Sequence, residues 1–163
     1  MRRLDMRTWE NRNIRPEAPE GVKFRFNWNS PILISPHDPK TVFYGGNRLF
    51  ISRDRGDTWT ATQDLTAAID RDRRQIFGKT SRDFLSRNDG VVHYSTLTTI
   101  AESPLKAGVI WAGADDGSLW VSKDAGKNWT DPELSRRSME LMAEQVMPAV
   151  NAAIGSEAVT ATA

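Results

Sequence analysis

Short apolar runs separated by polar, glycine- and proline-containing breaks dominate the first 130 positions. Ile32-Leu33-Ile34, Val42-Phe43-Tyr44, Leu49-Phe50-Ile51, Val109-Ile110-Trp111-Ala112 and Leu119-Trp120-Val121 are each bounded by Ser, Asp, Asn, Gly or Pro. Runs this short, rich in β-branched and aromatic residues and closed by turn formers, predict strands. Strands are expected over 30–35, 42–45, 49–53 and 58–62, and again over 97–102, 109–112, 119–123 and 128–130. Phe24, Phe26 and Trp28 alternate with Arg25, Asn27 and Asn29, which predicts a further half-buried strand of core aromatics, with sugar stacking as the other use of such rings. After Pro132 the period changes. Leu134, Met139, Leu141, Met142 and Val146 fall mostly three, four or seven apart, which predicts an amphipathic helix over 133–146. Pro148 is expected to end or kink it, and 151–163 to fray.

The two sets of strands are copies of one unit. Ser52-Arg53-Asp54-Arg55-Gly56-Asp57-Thr58-Trp59 returns seventy positions later as Ser122-Lys123-Asp124-Ala125-Gly126-Lys127-Asn128-Trp129. The match extends upstream, with Ser35-Pro36 against Ser103-Pro104 and two extra residues in the second copy at Asp115-Asp116-Gly117-Ser118. In each closing octet Asp54 or Asp124 can accept the N–H groups of a tight turn, and Gly56 or Gly126 can supply its positive φ. Trp59 and Trp129 then emerge on the return strand, where a large flat side chain covers the hairpin. Four-stranded units repeated along a chain predict an all-β fold, a β-propeller fragment of about two four-stranded blades plus a C-terminal α-helix.

The S-x-D-x-G-x-[TN]-W octet resembles the Asp-box, or BNR repeat, of sialidases, xyloglucanase-type glycoside hydrolases and the propeller of sortilin and Vps10-like proteins. Phe26-Asn27-Trp28-Asn29-Ser30-Pro31-Ile32, Ser35-Pro36-His37-Asp38-Pro39, Tyr44-Gly45-Gly46-Asn47 and Thr99-Ile100-Ala101-Glu102-Ser103-Pro104 are similar to the bacterial sortilin-like BNR proteins. The resemblance covers roughly residues 5–131 and implies a propeller fold in a family that contains enzymes, receptors and binding proteins. It divides the chain into a blade remnant at 1–15, a blade at 28–62, an inter-blade loop at 63–95, a blade at 96–131 and a helical tail at 132–163. Leu4-Asp5-Met6-Arg7-Thr8 reads as the middle of a strand of the remnant. Two blades do not close a ring, and open strand edges invite pairing. Further blades or self-association are therefore the expected cover. Met1 to Glu10 has no apolar stretch of a secretory signal, so the chain as written is expected to stay in the cytosol; relatives of this kind are commonly exported, which makes a leader upstream the alternative, and the location is left unassigned.

Composition narrows the chemistry. Of 163 residues 39% are hydrophobic and 26% charged, an ordinary globular balance, and the net charge of +1 is scattered. No basic stripe recommends nucleic acid, and no apolar run is long enough for a membrane span. There is no cysteine and there are two histidines, which argues against disulfides and a zinc cluster; no metal and no cofactor are expected. The 136–148 segment faintly resembles the C-terminal helix of luciferase-like flavin monooxygenases but carries no flavin-binding groups.

Topology then says where a ligand would meet the fold. In a meander the 46–48 turn, the 115–117 turn and the long 63–95 connection emerge at one end, and the Asp turns at the other. Loops on a rigid scaffold carry function, and a connection of this length is uncommon without one. Asn47, Arg48, Asp89, His93, Asp115 and Asp116 are therefore the candidate binding face, for a peptide or glycan. The alternating charges of 70–74 are read as a solvated surface with a short helix over 66–74. Ser52, Asp54, Gly56, Thr58, Trp59, Ser122, Asp124, Gly126, Asn128 and Trp129 are assigned to structure. A glycoside hydrolase fragment is the alternative. A sialidase would need an arginine cluster, a Tyr/Glu pair and an acid Asp, and neither Tyr44 nor Tyr94 pairs recognisably with a Glu. A xyloglucanase-type site needs two facing carboxyl groups; Asp115-Asp116 before Gly117 is more simply a hairpin turn. His93 beside the inner strand is read as structural, with a role as base or ligand contact as the other option. No nucleophile motif, P-loop or dinucleotide fingerprint is present.

Overall fold

A computed structural model describes residues 1–76, 78–80, 83, 93–130 and 132–152. The chain forms two compact units, Met1–Trp129 and Thr130–Ala163. The first is all β. Strands β1 (Arg2–Leu4) and β2 (Asn11–Asn13) make an antiparallel hairpin; β3 (Ile32–Ile34), β4 (Val42–Gly45), β5 (Arg48–Ser52) and β6 (Thr60–Asp64) form a four-stranded antiparallel meander in chain order. A two-stranded hairpin of β7 (Gln75–Ile76) and β8 (Lys79–Thr80) follows, and then a three-stranded antiparallel sheet of β9 (Leu97–Glu102), β10 (Ile110–Ala114) and β11 (Leu119–Ser122).

The central strands of the first meander, β4 and β5, are apolar at consecutive positions and buried on both faces, whereas Ile32 and Ile34 of the outer β3 are exposed. Phe43 pairs with Ile51 and Gly45 with Leu49, while Tyr44 pairs with Phe50 on the opposite face. Phe43, Leu49 and Ile51 join Leu97, Ile110, Ala112 and Leu65 in one core between the two sheets. On the other side Tyr44 and Phe50 join Phe26, with Phe24, Met1 and Trp59 packed against them. Each such side chain contributes about 1.5–3 kcal/mol by leaving water, so the sheet-to-sheet junction is the main store of stability in this unit.

Four sequence expectations are corrected. The second copy lacks its fourth strand. The residue matching Thr62, a member of β6, is Pro132, which has no N–H to give a ladder; it opens helix α1 (Pro132–Leu141) instead, at the helix position proline tolerates best. The 4–8 segment is not mid-strand. Leu4 ends β1, and Asp5 turns the chain by accepting the N–H groups of Arg7 and Thr8 at 2.8 and 3.1 Å. The 24–28 run is not a strand and turns at Trp28: Phe24 and Phe26 pack inward, whereas Trp28 is 77% exposed. In 66–74 only Arg71–Arg73 forms a 3-10 turn, capped by Asp70.

The helix of the second unit also departs from expectation at Pro148. A π-type turn over Met142–Val146, with Met147 N–H bonded to Met142 O, precedes the proline, and α-helical geometry continues to residue 152. Shifting one bond to an i−5 partner absorbs the missing i−4 donor of Pro148. Residues 153–163, where fraying is expected, lie outside the described residues. No described helix is long and apolar enough to cross a membrane.

Candidate functional site

The two Asp turns have the same internal geometry. In the first, the Ser52 hydroxyl donates to Asp54 Oδ1 at 2.8 Å and accepts from Gly56 N at 2.7 Å, while Asp54 accepts from Thr58 N at 2.8 Å and Thr58 Oγ1 at 2.6 Å. In the second, Ser122 and Asp124 repeat every bond: 2.9 Å to Asp124 Oδ1, 2.9 Å from Gly126 N, 2.9 Å from Asn128 N and 2.6 Å from Asn128 Nδ2. Gly56 and Gly126 take φ of 91° and 85°, and the residue before each, Arg55 or Ala125, also has positive φ, which the sequence did not announce. Both Asp side chains are thus turn acceptors. Trp59 leaves its own hairpin to donate to Ile14 O at 2.9 Å, and Trp129 donates to Gly126 O at 3.1 Å.

These bonds hold both carboxyls at about 2, below the ordinary 3.8. The Thr58 hydroxyl contributes most at Asp54, followed by Thr58 N–H and the Ser52 hydroxyl; at Asp124 the Asn128 N–H leads, followed by its side-chain amide and Ser122. The native pKa lies below the unfolded one, so the stabilisation is fully present above about pH 4 and is lost as pH falls through about 2. Thermal melts should show Tm falling across that window, and the Asp54→Asn/Asp124→Asn double variant should show a flatter fall. A wild-type Tm independent of pH from 4 to 2 would refute this account.

The opposite end of the sheets gathers the candidate face, and there the structure joins residues far apart in sequence. Asn47, only 2% exposed, accepts Arg25 N at 2.9 Å through Oδ1 and donates to Asp64 Oδ2 at 2.7 Å through Nδ2. Arg25 pairs with Asp64 at 3.2 Å and donates to Thr66 Oγ1 and Ser95 O. Asp115 Oδ1 accepts Thr96 N at 2.9 Å, and Asp116 Oδ2 accepts Ala67 N at 2.8 Å. Backbone bonds Leu97 N to Gly46 O and Leu65 N to Asn47 O complete the junction. His93 is half-buried and its carbonyl accepts Asn27 Nδ2 at 3.2 Å. Arg48 donates to Thr62 O, with its Nε buried and without a partner. Asp89 lies outside the described residues.

Leu97 N to Gly46 O and Arg25 to Ser95 O therefore link the first sheet to the start of the second; Asp116 ties the second sheet to the long connection at Ala67, while Asn47 and Asp115 fix the ends of their own sheets through Arg25 and Asp64, and Thr96. Sequence spacing singled out Asn47, Asp115 and Asp116 but missed Arg25, Asp64, Ser95 and Thr96, the groups that complete the network; no local pattern links positions so far apart. Also unforeseen is a basic and aromatic pair at this end: the Arg74 guanidinium lies 5.3 Å from the centre of the Tyr94 ring. Burial, chiefly, pushes the Tyr94 phenol above its usual range. At the Asp-turn end, Glu102 links the repeats by accepting the Ser35 hydroxyl at 2.5 Å and Gly108 N at 2.9 Å.

Among the described residues no group of three or more His, Asp or Glu side chains is placed to hold a metal ion. No model of a known protein family matches the chain, and a search of curated proteins finds no match either.

Proposed function

We propose that this chain is a non-catalytic binding or scaffold module of the sortilin-like BNR type, a part of a β-propeller whose loop end meets a peptide or glycan. The observation that carries the reading is the bond-for-bond identity of the two Asp-box turns at the end opposite the loop junction. It makes the repeat architectural and leaves the loop end as the variable surface. Among the described residues the carboxylates at that end support binding over hydrolysis, since Asp64, Asp115 and Asp116 each accept main-chain or side-chain donors of the protein itself. A hydrolase needs carboxyl groups facing substrate instead.

The half-exposed surface beside that junction, with Arg74 over Tyr94, has the planar face and cation that recognise sugar rings and extended peptides. Titration of the chain with a panel of neutral and acidic oligosaccharides and of extended peptides should find a ligand whose affinity falls about tenfold or more in Tyr94→Ala. The same ligand should bind Asp124→Ala normally in the folded fraction. Loss of affinity in Asp124→Ala with affinity retained in Tyr94→Ala would place the site at the wrong end and end the proposal, as would release of sugar from any oligosaccharide in the panel.

A further inference from the structure

Between the N-terminal segment and the outer strand of the first sheet lies a cleft of about 580 Å³, lined by residues of the first unit. Phe24, Phe50 and Trp59 give it an aromatic floor, and Ile14 closes one side. Local structure braces this space. Ala61 pairs with Phe50 across β5 and β6, which puts both side chains on one face; a methyl there leaves room that a larger side chain would fill. Trp59 is fixed by its bond to Ile14 O, and Ile14 is seated in the Asp turn: a β-carbon on Gly56 would lie 2.7 Å from Ile14 Cδ1, as one on Gly126 would from Ile51 Cδ1. An aromatic space of this size, held open by its own walls, is of the kind that takes a small molecule.

The repeat alone does not account for it. Between β6 and the second Asp turn, Thr60, Thr62, Gln63 and Lys127 line the corresponding groove, and among the described residues Trp129 is the one ring there. The aromatic floor is therefore particular to the first cleft.

The charges at its mouth decide the class of molecule. Arg3 and Arg12 both donate to Asp57 Oδ1, at 3.0 and 2.8 Å, so two cations meet one carboxylate. Arg15 lines the cleft and makes no ion pair among the described residues. Its guanidinium lies 4.5 Å from the centre of the buried Phe26 ring, which orients the fork before a ligand arrives. Glu17 is the other carboxylate of the lining. Three guanidinium groups against two carboxylates favour an anion, and the oriented Arg15 fork matches the two oxygens of a carboxylate.

We propose that this cleft is a binding site for an aromatic carboxylate, its ring laid against Phe24 and Trp59 and its carboxylate on the Arg15 guanidinium. The site lies beside the first Asp turn, at the other end of the sheets from Arg74 and Tyr94, and is independent of any ligand there.

The Trp59 indole N–H, assigned through Trp59→Phe, reports on the cleft in NMR spectra of isotope-labelled full-length protein. Titration with phenylpropionate should shift this signal saturably at concentrations up to about 10 mM, the range open to a fragment of this size, with the Trp111 and Trp120 indoles unmoved. The neutral phenylpropionamide and the cationic phenylpropylamine should bind about fivefold or more weakly, and Arg15→Met should weaken the acid about tenfold, Arg15→Lys less. Ala61→Phe should abolish binding by filling the space, and Tyr94→Ala should leave it unchanged. The absence of a saturable Trp59 shift overturns the inference. So does wild-type affinity in Arg15→Met or Ala61→Phe, an amine that binds as tightly as the acid, or binding lost in Tyr94→Ala.

Discussion

Phe50→Ala should lower the free energy of unfolding by about 3–5 kcal/mol, the cost of emptying a well-packed aromatic site. Phe50 is 1% exposed, and its ring centre lies 4.6 Å from Phe24, 5.2 Å from Phe26 and 6.5 Å from Tyr44. Its removal opens a void among rings that cannot collapse together, because Phe24 and Phe26 approach from a loop and Tyr44 from the neighbouring strand. Domains of this size are typically stable by about 5–15 kcal/mol, so the variant would spend much of its margin on one side chain. Urea denaturation should show a lower midpoint with an unchanged slope. A loss below about 1 kcal/mol would mean that the aromatic cluster does not stabilise the first sheet.

The second large effect is expected at Asn47, which the sequence assigned to the ligand-facing surface and the structure places in the junction. Asn47→Ala leaves Arg25 N without an acceptor and takes one donor from Asp64, at a cost of about 1–3 kcal/mol. The more informative variant is Asn47→Asp. It keeps the acceptor for Arg25 N but sets a carboxylate against Asp64, now 2.7 Å from the Asn47 amide. Like charges at that separation disfavour joint ionisation. The variant should therefore be less stable than wild type at pH 7 and recover part of the difference toward pH 4, as one carboxyl takes up a proton. A wild-type Tm for Asn47→Ala would mark Asn47 as a surface residue and remove the junction role.

The contrast between these positions shows where sequence reading succeeds. Phe50 lies in a run of three apolar residues, and such a run needs no partner to be recognised as strand and core. Both Asp octets are local as well: every bond made by Asp54 reaches a residue within four positions, so the spacing contains the whole turn. Asn47 is different. Its polarity and its place in a tight turn are visible in the sequence, but its partners Arg25 and Asp64 are 22 and 17 positions away. Whether a turn asparagine faces solvent or a buried arginine segment depends on which strands become neighbours.

By itself the sequence determined seven strands of the two repeats, the turns that join them and the change to helix after Trp129, because short-range periodicity and turn stereochemistry are properties of adjacent residues. It also carried the reason for the missing eighth strand, since proline at 132 cannot donate to a ladder, although the repeat drew attention away from it. Only the tertiary structure decided that the central strands β4 and β5 are buried on both faces, that Ile14 and Ile51 fill the glycine turns, and that the loop-end carboxylates accept donors from distant segments. Those outcomes depend on contacts between residues tens of positions apart, whose free energy exists only once the sheets have met.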